Sequence, residues 1–163
     1  MATDPPPDLP LTPLNGDTRP IEDWVVLFPL AVVALDPYTY ESAWLLEEAG
    51  RILASFTAAD VRVGWLVTAT IDESREFLGP WAERLLTFAD PDRAAVKALG
   101  LQTLPAFVVV DMAGKIGACA EGWDPTTWRA AVGALADILS WSKPNIPGPG
   151  APGPYPGTPA LAS

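Results

Sequence analysis

The chain has 163 residues, of which 49% are hydrophobic and seven are tryptophan, which is ample material for one core of roughly 120 residues once the proline-rich ends are set aside. A net charge of −10 excludes nucleic-acid binding and disfavours an anionic membrane surface, because both would repel the chain. The absence of histidine removes the commonest general base and zinc ligand, and a single cysteine, Cys119, excludes an intramolecular disulfide.

Residues 1–19 hold five prolines and few large apolar side chains, and they read as an extended or disordered leader. The stretch MATDPPPDLP has no basic segment followed by an apolar one, so no signal peptide is expected. The longest apolar run, 24–35, is too short to span a bilayer and contains Pro29. A cytoplasmic location without membrane insertion is the expectation. Pro20 opens a short helix, with Ile21, Trp24, Val25 and Phe28 at helical spacing. LAVVAL, 30–35, reads as a buried strand, and DPYTY turns the chain.

Residues 41–56 form the first long helix, with Leu45, Ala49, Ile52, Leu53 and Phe56 on one face and an expected Glu47–Arg51 pair on the other. Residues 61–70 are a second strand, 72–86 a helix interrupted at Gly79–Pro80, and LTFAD a short strand. Asp90–Pro91 has the pattern of an N-cap followed by proline at the first helical position, and that helix ends at Gly100. AFVVVDM, 106–112, is a central strand joined through MAGK to IGACAEGW in a hairpin. Asp124–Pro125 repeats the cap signature ahead of a helix whose buried face should carry Trp128, Ala131, Val132, Leu135 and Ile138. Trp123 is placed to staple that helix against Trp128. The domain is thus expected over 20–141, followed by a Pro/Gly-rich tail, 142–163, that is polyproline-like or disordered. The order β-α-β-α-β-α-β-β-α implies an α/β fold: a mixed sheet flanked by helices, mostly parallel with an antiparallel edge.

That order, together with LQTLPAFVVVDMAGKIGACAEG, resembles the thioredoxin-like superfamily. The extra stretch from Val61 to Gly100 is similar to the insertion of its peroxiredoxin/TlpA-like branch. The resemblance covers about residues 28–140. It implies a thioredoxin-like fold in which Pro105 is cis and faces the active site. It also implies a reactive cysteine at the start of the first core helix, three residues before a frequent glutamate. With Glu41 as that glutamate, the cysteine position is Tyr38, in the stretch Asp36-Pro37-Tyr38-Thr39-Tyr40-Glu41. No thiol stands there, so neither dithiol exchange nor peroxide reduction can run, and a phenol with a pKa near ~10 cannot replace a thiolate.

Asp36, Tyr38, Thr39, Tyr40 and Glu41, with Thr103, Leu104 and Pro105 brought near by the resemblance, form the candidate binding face. One reading is a surface for a peptide or a small anion at a helix N-terminus, since the cis-proline loop of this fold class holds extended peptides. The other is a capping turn, with Asp36–Pro37 in the turn and Thr39 as the cap. Cys119 is either a lone redox thiol or a small buried apolar residue. The carboxylates Asp72, Glu73, Glu76, Asp90, Asp92, Glu121 and Asp124 read as caps and solvated faces, with no metal-type spacing. The tail either has no role or docks, on its own domain or on a partner, through Ile146 and Tyr155.

These observations lead to a non-catalytic thioredoxin-like binding or assembly protein with a protein or peptide partner and with neither cofactor nor metal. It is chaperone-like, by analogy with cysteine-free thioredoxin-like maturation chaperones. The alternatives are a non-thiol enzyme of glutathione-transferase type in the same groove, or a thiol sensor through Cys119.

Overall fold

A computed structural model describes residues 2–161. Its strands are β1 (Pro10–Pro13), β2 (Arg19–Pro20), β3 (Leu30–Leu35), β4 (Arg62–Val67), β5 (Leu86–Ala89), β6 (Thr103–Leu104), β7 (Ala106–Val110), β8 (Ile116–Glu121) and β9 (Thr158–Pro159). Its helices are α1 (Ile21–Trp24), α2 (Tyr40–Ala54), α3 (Ile71–Leu78), α4 (Trp81–Arg84), α5 (Ala94–Ala98) and α6 (Pro125–Leu139).

Seven strands form one sheet in the order β2-β1-β5-β4-β3-β7-β8. β3, β4 and β5 run parallel; β7 and β8 close one side antiparallel, and β1 the other. This is the mixed sheet read from the sequence. β3 is buried along its whole length because both faces are covered. Ala31, Val33 and Leu35 meet the layer of α2 and α6, where Leu45, Ile52, Trp128 and Leu135 are fully buried. Leu30, Val32 and Ala34 meet the layer of α1 and α5, where Val96 and Leu99 are buried.

Both chain ends pack against the domain. Leu9 and Leu11 are buried against the α5 side of the sheet, and β1 pairs with β5 as Thr12↔Ala89 and Pro13↔Phe88. The leader is therefore extended, with β1 between β5 and the two-residue β2 that forms the edge; Pro10 and Pro13 are tolerated because they stand at the two ends of so short a strand. The tail lies along its own domain. Ile146 is buried in the α2/α6 layer and Ala160 in the α5 layer, so this segment wraps from one side of the sheet to the other.

Local expectations hold at several caps. Asp124 caps α6 with Pro125 at its first position, and Trp123 packs edge-on against Trp128 with ring centroids 5.2 Å apart. Others need correction. Asp90–Pro91 does not open α5 directly: the helix starts at Ala94, and the buried Asp90 carboxylate reaches forward to accept from the amides of Ala95 and Val96, both at 3.0 Å. Arg51 pairs with Glu48 at 2.7 Å rather than with Glu47, whose carboxylate accepts from Trp81 Nε1 at 3.3 Å. Ile138 is exposed, and Ala136 takes its place on the buried face of α6. Two positions apart, these side chains lie about 200° from each other around the helix, enough to separate core from solvent.

Candidate functional site

The site forms where β3 gives way to α2. Asp36 is buried, and its atoms organise the turn. Its amide donates to Ser42 Oγ at 3.0 Å, and its Oδ1 accepts from the Tyr38 amide at 3.0 Å. The Thr39 hydroxyl donates to the Asp36 carbonyl at 2.9 Å and accepts from the Ser42 amide at 3.5 Å. These are the bonds of an Asx turn leading into a threonine N-cap, so the capping interpretation accounts for Asp36 and Thr39. Arg93 completes the buried charge balance, its Nη2 lying 2.9 Å from Asp36 Oδ2. Arg93 holds φ at 61°, in the left-handed region, just before α5.

The aromatic members point outward. Tyr38 is 65% exposed, Tyr40 78% and Trp44 57%. The Tyr38 hydroxyl donates to Glu73 Oε2 at 2.5 Å. Glu73 is positioned by the capping box of α3, in which Thr70 Oγ1 accepts from the Glu73 amide and the Glu73 carboxylate accepts from the Thr70 amide. The hydrogen bond to a carboxylate raises the Tyr38 phenol above its usual value and lowers the Glu73 carboxyl below its own. The one proton of the Tyr38 hydroxyl is thereby committed to Glu73. Tyr40 and Trp44, one helical turn apart, stack at 6.5 Å, and Trp44 meets Tyr155 edge-on at 5.8 Å. Glu41 is half-buried, and its carbonyl accepts from the Tyr155 hydroxyl.

The second half of the face arrives through the sheet. β3 pairs with β7 as Ala34↔Ala106, so the end of β3 lies opposite the Leu104–Pro105 peptide, which is cis. Leu104 and Pro105 are buried, and Thr103 is half-buried. The amides of Gln102 and Thr103 both donate to Glu121 Oε1, at 2.5 and 3.0 Å. The free edge of β6 is taken by the tail: Thr103 pairs with Pro159 and Leu104 with Thr158, antiparallel. Arg93 Nη1 donates to the Ala160 carbonyl at 2.6 Å, linking this segment to the same guanidinium that holds Asp36.

Arg93, Glu73, Trp44, Glu121 and the tail strand were not foreseen as members of the site. Trp44 alone left a trace, four residues after Tyr40. Cys119 lies elsewhere, in β8 opposite Val108, and burial pushes its thiol up to about 11. At neutral pH it is a protonated, weakly nucleophilic thiol, contrary to what a thiol sensor needs.

No family model matches the chain, and no curated protein matches it in sequence. Solved structures do. Mycobacterium tuberculosis DsbF superposes with a TM-score of 0.64 at 18% identity, over 79% of this chain and 96% of that one. A Chlorobium tepidum protein assigned as the thiol:disulfide interchange protein DsbE gives 0.69 at 16%, over 85% and 98%. The bacterioferritin comigratory protein of Xanthomonas campestris, studied for alkyl peroxide reduction, gives 0.64 at 14%, over 88% and 98%. The chain has a thioredoxin-like fold. Structures like those of both the DsbE and peroxiredoxin kinds match it, in keeping with the inserted segment 61–100. This chain has one cysteine, and it stands in β8 opposite Val108, not at the β3–α2 corner. No helix is long and apolar enough to cross a membrane among the described residues.

Proposed function

We propose that this is a non-catalytic thioredoxin-like binding or assembly protein whose recognition surface is the face around Tyr38 and Pro105. The observation that carries it is the exposure of Tyr38, Tyr40 and Trp44 at the N-terminal end of α2, in a chain that buries five of its seven tryptophans. Exposed aromatics spend little conformational entropy on ordering and bury much area on docking, which is why they are favoured as interface anchors. The polar frame beneath them is fully engaged: Asp36 with Arg93, Tyr38 with Glu73, Thr39 with the turn. Such a frame holds rings in place and leaves no activated group for chemistry. The partner class is a protein or peptide whose contacting surface is not acidic, since Glu73 beside Tyr38 and Glu41 next to Tyr40 repel like charge.

The test is affinity capture with the wild-type chain and a Tyr38→Ala, Tyr40→Ala double variant of equal thermal stability. Partners retained by wild type should be lost by the variant; the same partners returning from both would remove the reading. Insulin-disulfide reduction and peroxide consumption should stay at background.

A further inference from the structure

We infer that residues 155–160 are a built-in strand ligand that closes the β6 edge and Trp123 against extended peptides from outside. The inference rests on the recognition reading for the nature of the competitor, and adds what holds the surface shut and which peptide fits it.

The tail pairs on either side of the cis Leu104–Pro105 peptide. On one side Thr103 and Leu104 meet Pro159 and Thr158, and the Ala160 amide donates to the Gln102 carbonyl at 2.8 Å. On the other, Trp123 and Tyr155 exchange both backbone bonds at 2.9 Å. Between the two pairings the backbones come too close for side chains. A Cβ on Gly157 would lie 2.6 Å from the Leu104 carbonyl oxygen, and one on Gly122 would lie 2.5 Å from that of Pro156. Both glycines also hold positive φ, 89° and 72°, which L side chains rarely adopt. The edge is therefore a mould for an extended chain with glycine at one place. Recognition by backbone pairing on an exposed strand edge needs little else.

The tail is held in two parts with an exposed joint between them, the second part by the Tyr155 hydroxyl on the Glu41 carbonyl and Arg93 Nη1 on the Ala160 carbonyl besides its backbone pairing. Upstream, Ile146 is buried, the Gly148 amide donates to Glu48 Oε2 at 2.6 Å, and Trp123 Nε1 donates to the Pro152 carbonyl at 2.8 Å. Gly153 and Pro154 are then exposed, with nothing within 4 Å of where a Gly153 Cβ would stand. Beyond them Pro156 and Pro159 are exposed, and only Ala160 is fully buried. Residues 144–161 carry no formal charge, so the segment brings no like charge to a chain of net charge −10. A ligand tethered at Gly153 acts at an effective concentration in the millimolar range, so weak pairing suffices to exclude free peptides.

The test uses the full chain. In the wild type, amide exchange at Tyr155 and Ala160 should run at least about 100-fold faster than at Val108, because local opening is less costly than global unfolding. Equal rates at the three positions would mean that the segment leaves only when the domain unfolds, and would overturn the inference. A labelled peptide of residues 153–161 is then titrated by fluorescence anisotropy against wild type and Gly157→Val. The variant should bind at least about tenfold more tightly, because its own tail is expelled. Adding Gly122→Val should abolish that binding. Equal affinity for wild type and Gly157→Val, or no binding by a folded Gly157→Val chain, would overturn the inference; so would a Gly157→Val chain that fails to fold. Adding Tyr38→Ala and Tyr40→Ala to Gly157→Val separates the two readings. If the peptide still binds while captured partners are lost, both stand; if captured partners persist, only the aromatic reading fails.

Discussion

Asp36 and Arg93 form an ion pair of 2.9 Å beneath the corner where β3 turns into α2, with side chains only 8% and 16% exposed. The second guanidinium nitrogen reaches the Ala160 carbonyl, so one residue supports both the turn and the docked tail. A buried pair of this kind is weak support for net stability, but removing one partner strands the other charge. Arg93→Met should therefore destabilise by about 3 kcal/mol. Asp36→Asn in the same background should recover part of the loss, because the amide oxygen can still accept from Tyr38. Arg93→Gly should be about 1 kcal/mol less harmful than Arg93→Met, since it also removes the cost of a left-handed non-glycine residue. Urea midpoints at constant slope check the series; equal midpoints for Arg93→Met and wild type would show that the pair contributes nothing.

Tyr38 and Glu73 make a pH-dependent contact. The bond favours the neutral phenol and the ionised carboxylate, raising one group and lowering the other. The phenol's contribution is present below the ordinary tyrosine range near ~10 and is lost as the pH rises through its raised folded value. The carboxylate's contribution is present above the ordinary glutamate range and fades as the pH falls through its lowered value. The difference between wild-type and Tyr38→Phe absorbance titrations should place this phenol above the free value, and Glu73→Gln should bring it back down. A Tyr38 curve unmoved by Glu73→Gln would remove the contact as its cause.

Cys119 should be slow toward thiol reagents in the native state. Burial, with a smaller contribution from Glu121, pushes its thiol up to about 11. The labelling rate at pH 7–8 should rise steeply on denaturation, and in the native state it should climb with pH toward that value. Rapid native labelling at neutral pH would revive a redox role for this residue.

Ile146 fastens the upstream tail to the α2/α6 layer. Its truncation to alanine should cost between about 2 and 5 kcal/mol, the range for a buried isoleucine whose site collapses only partly. Calorimetric or denaturant unfolding checks this. A loss well below that range would mean that residues 141–152 are not part of the cooperative unit.

Much of the architecture could be read from periodicity. The buried strand 30–35, the central strand expected over 106–112 and found over 106–110, the Asp124–Pro125 cap, the interruption at Gly79–Pro80 and the Gly100 terminus all depend on interactions within a few residues. The misreadings involve choices between neighbours of similar local merit. Arg51 had two glutamates within reach, and Glu48 prevails because the tail buries it and adds the Gly148 amide as a second partner. Asp90 looked like an adjacent cap because its distance to α5 depends on a left-handed arginine that no propensity favours.

For the candidate site, what residue types and spacing decided was negative and firm. The chain has a single cysteine, Cys119, so it holds no thiol pair that could close an intramolecular disulfide, and Tyr38 stands at the β3–α2 corner. What the face contains instead was settled by contacts between residues 35 to 114 positions apart in the chain: Tyr38 with Glu73, Asp36 with Arg93, Tyr155 with Glu41. The docked tail belongs to the same class. Its proline and glycine content rules out helix and central strand but leaves an edge strand open, and only the free β6 edge and two facing glycines select that outcome. Local chemistry limits the conformations a segment can take; the surface that packing brings opposite it chooses among them.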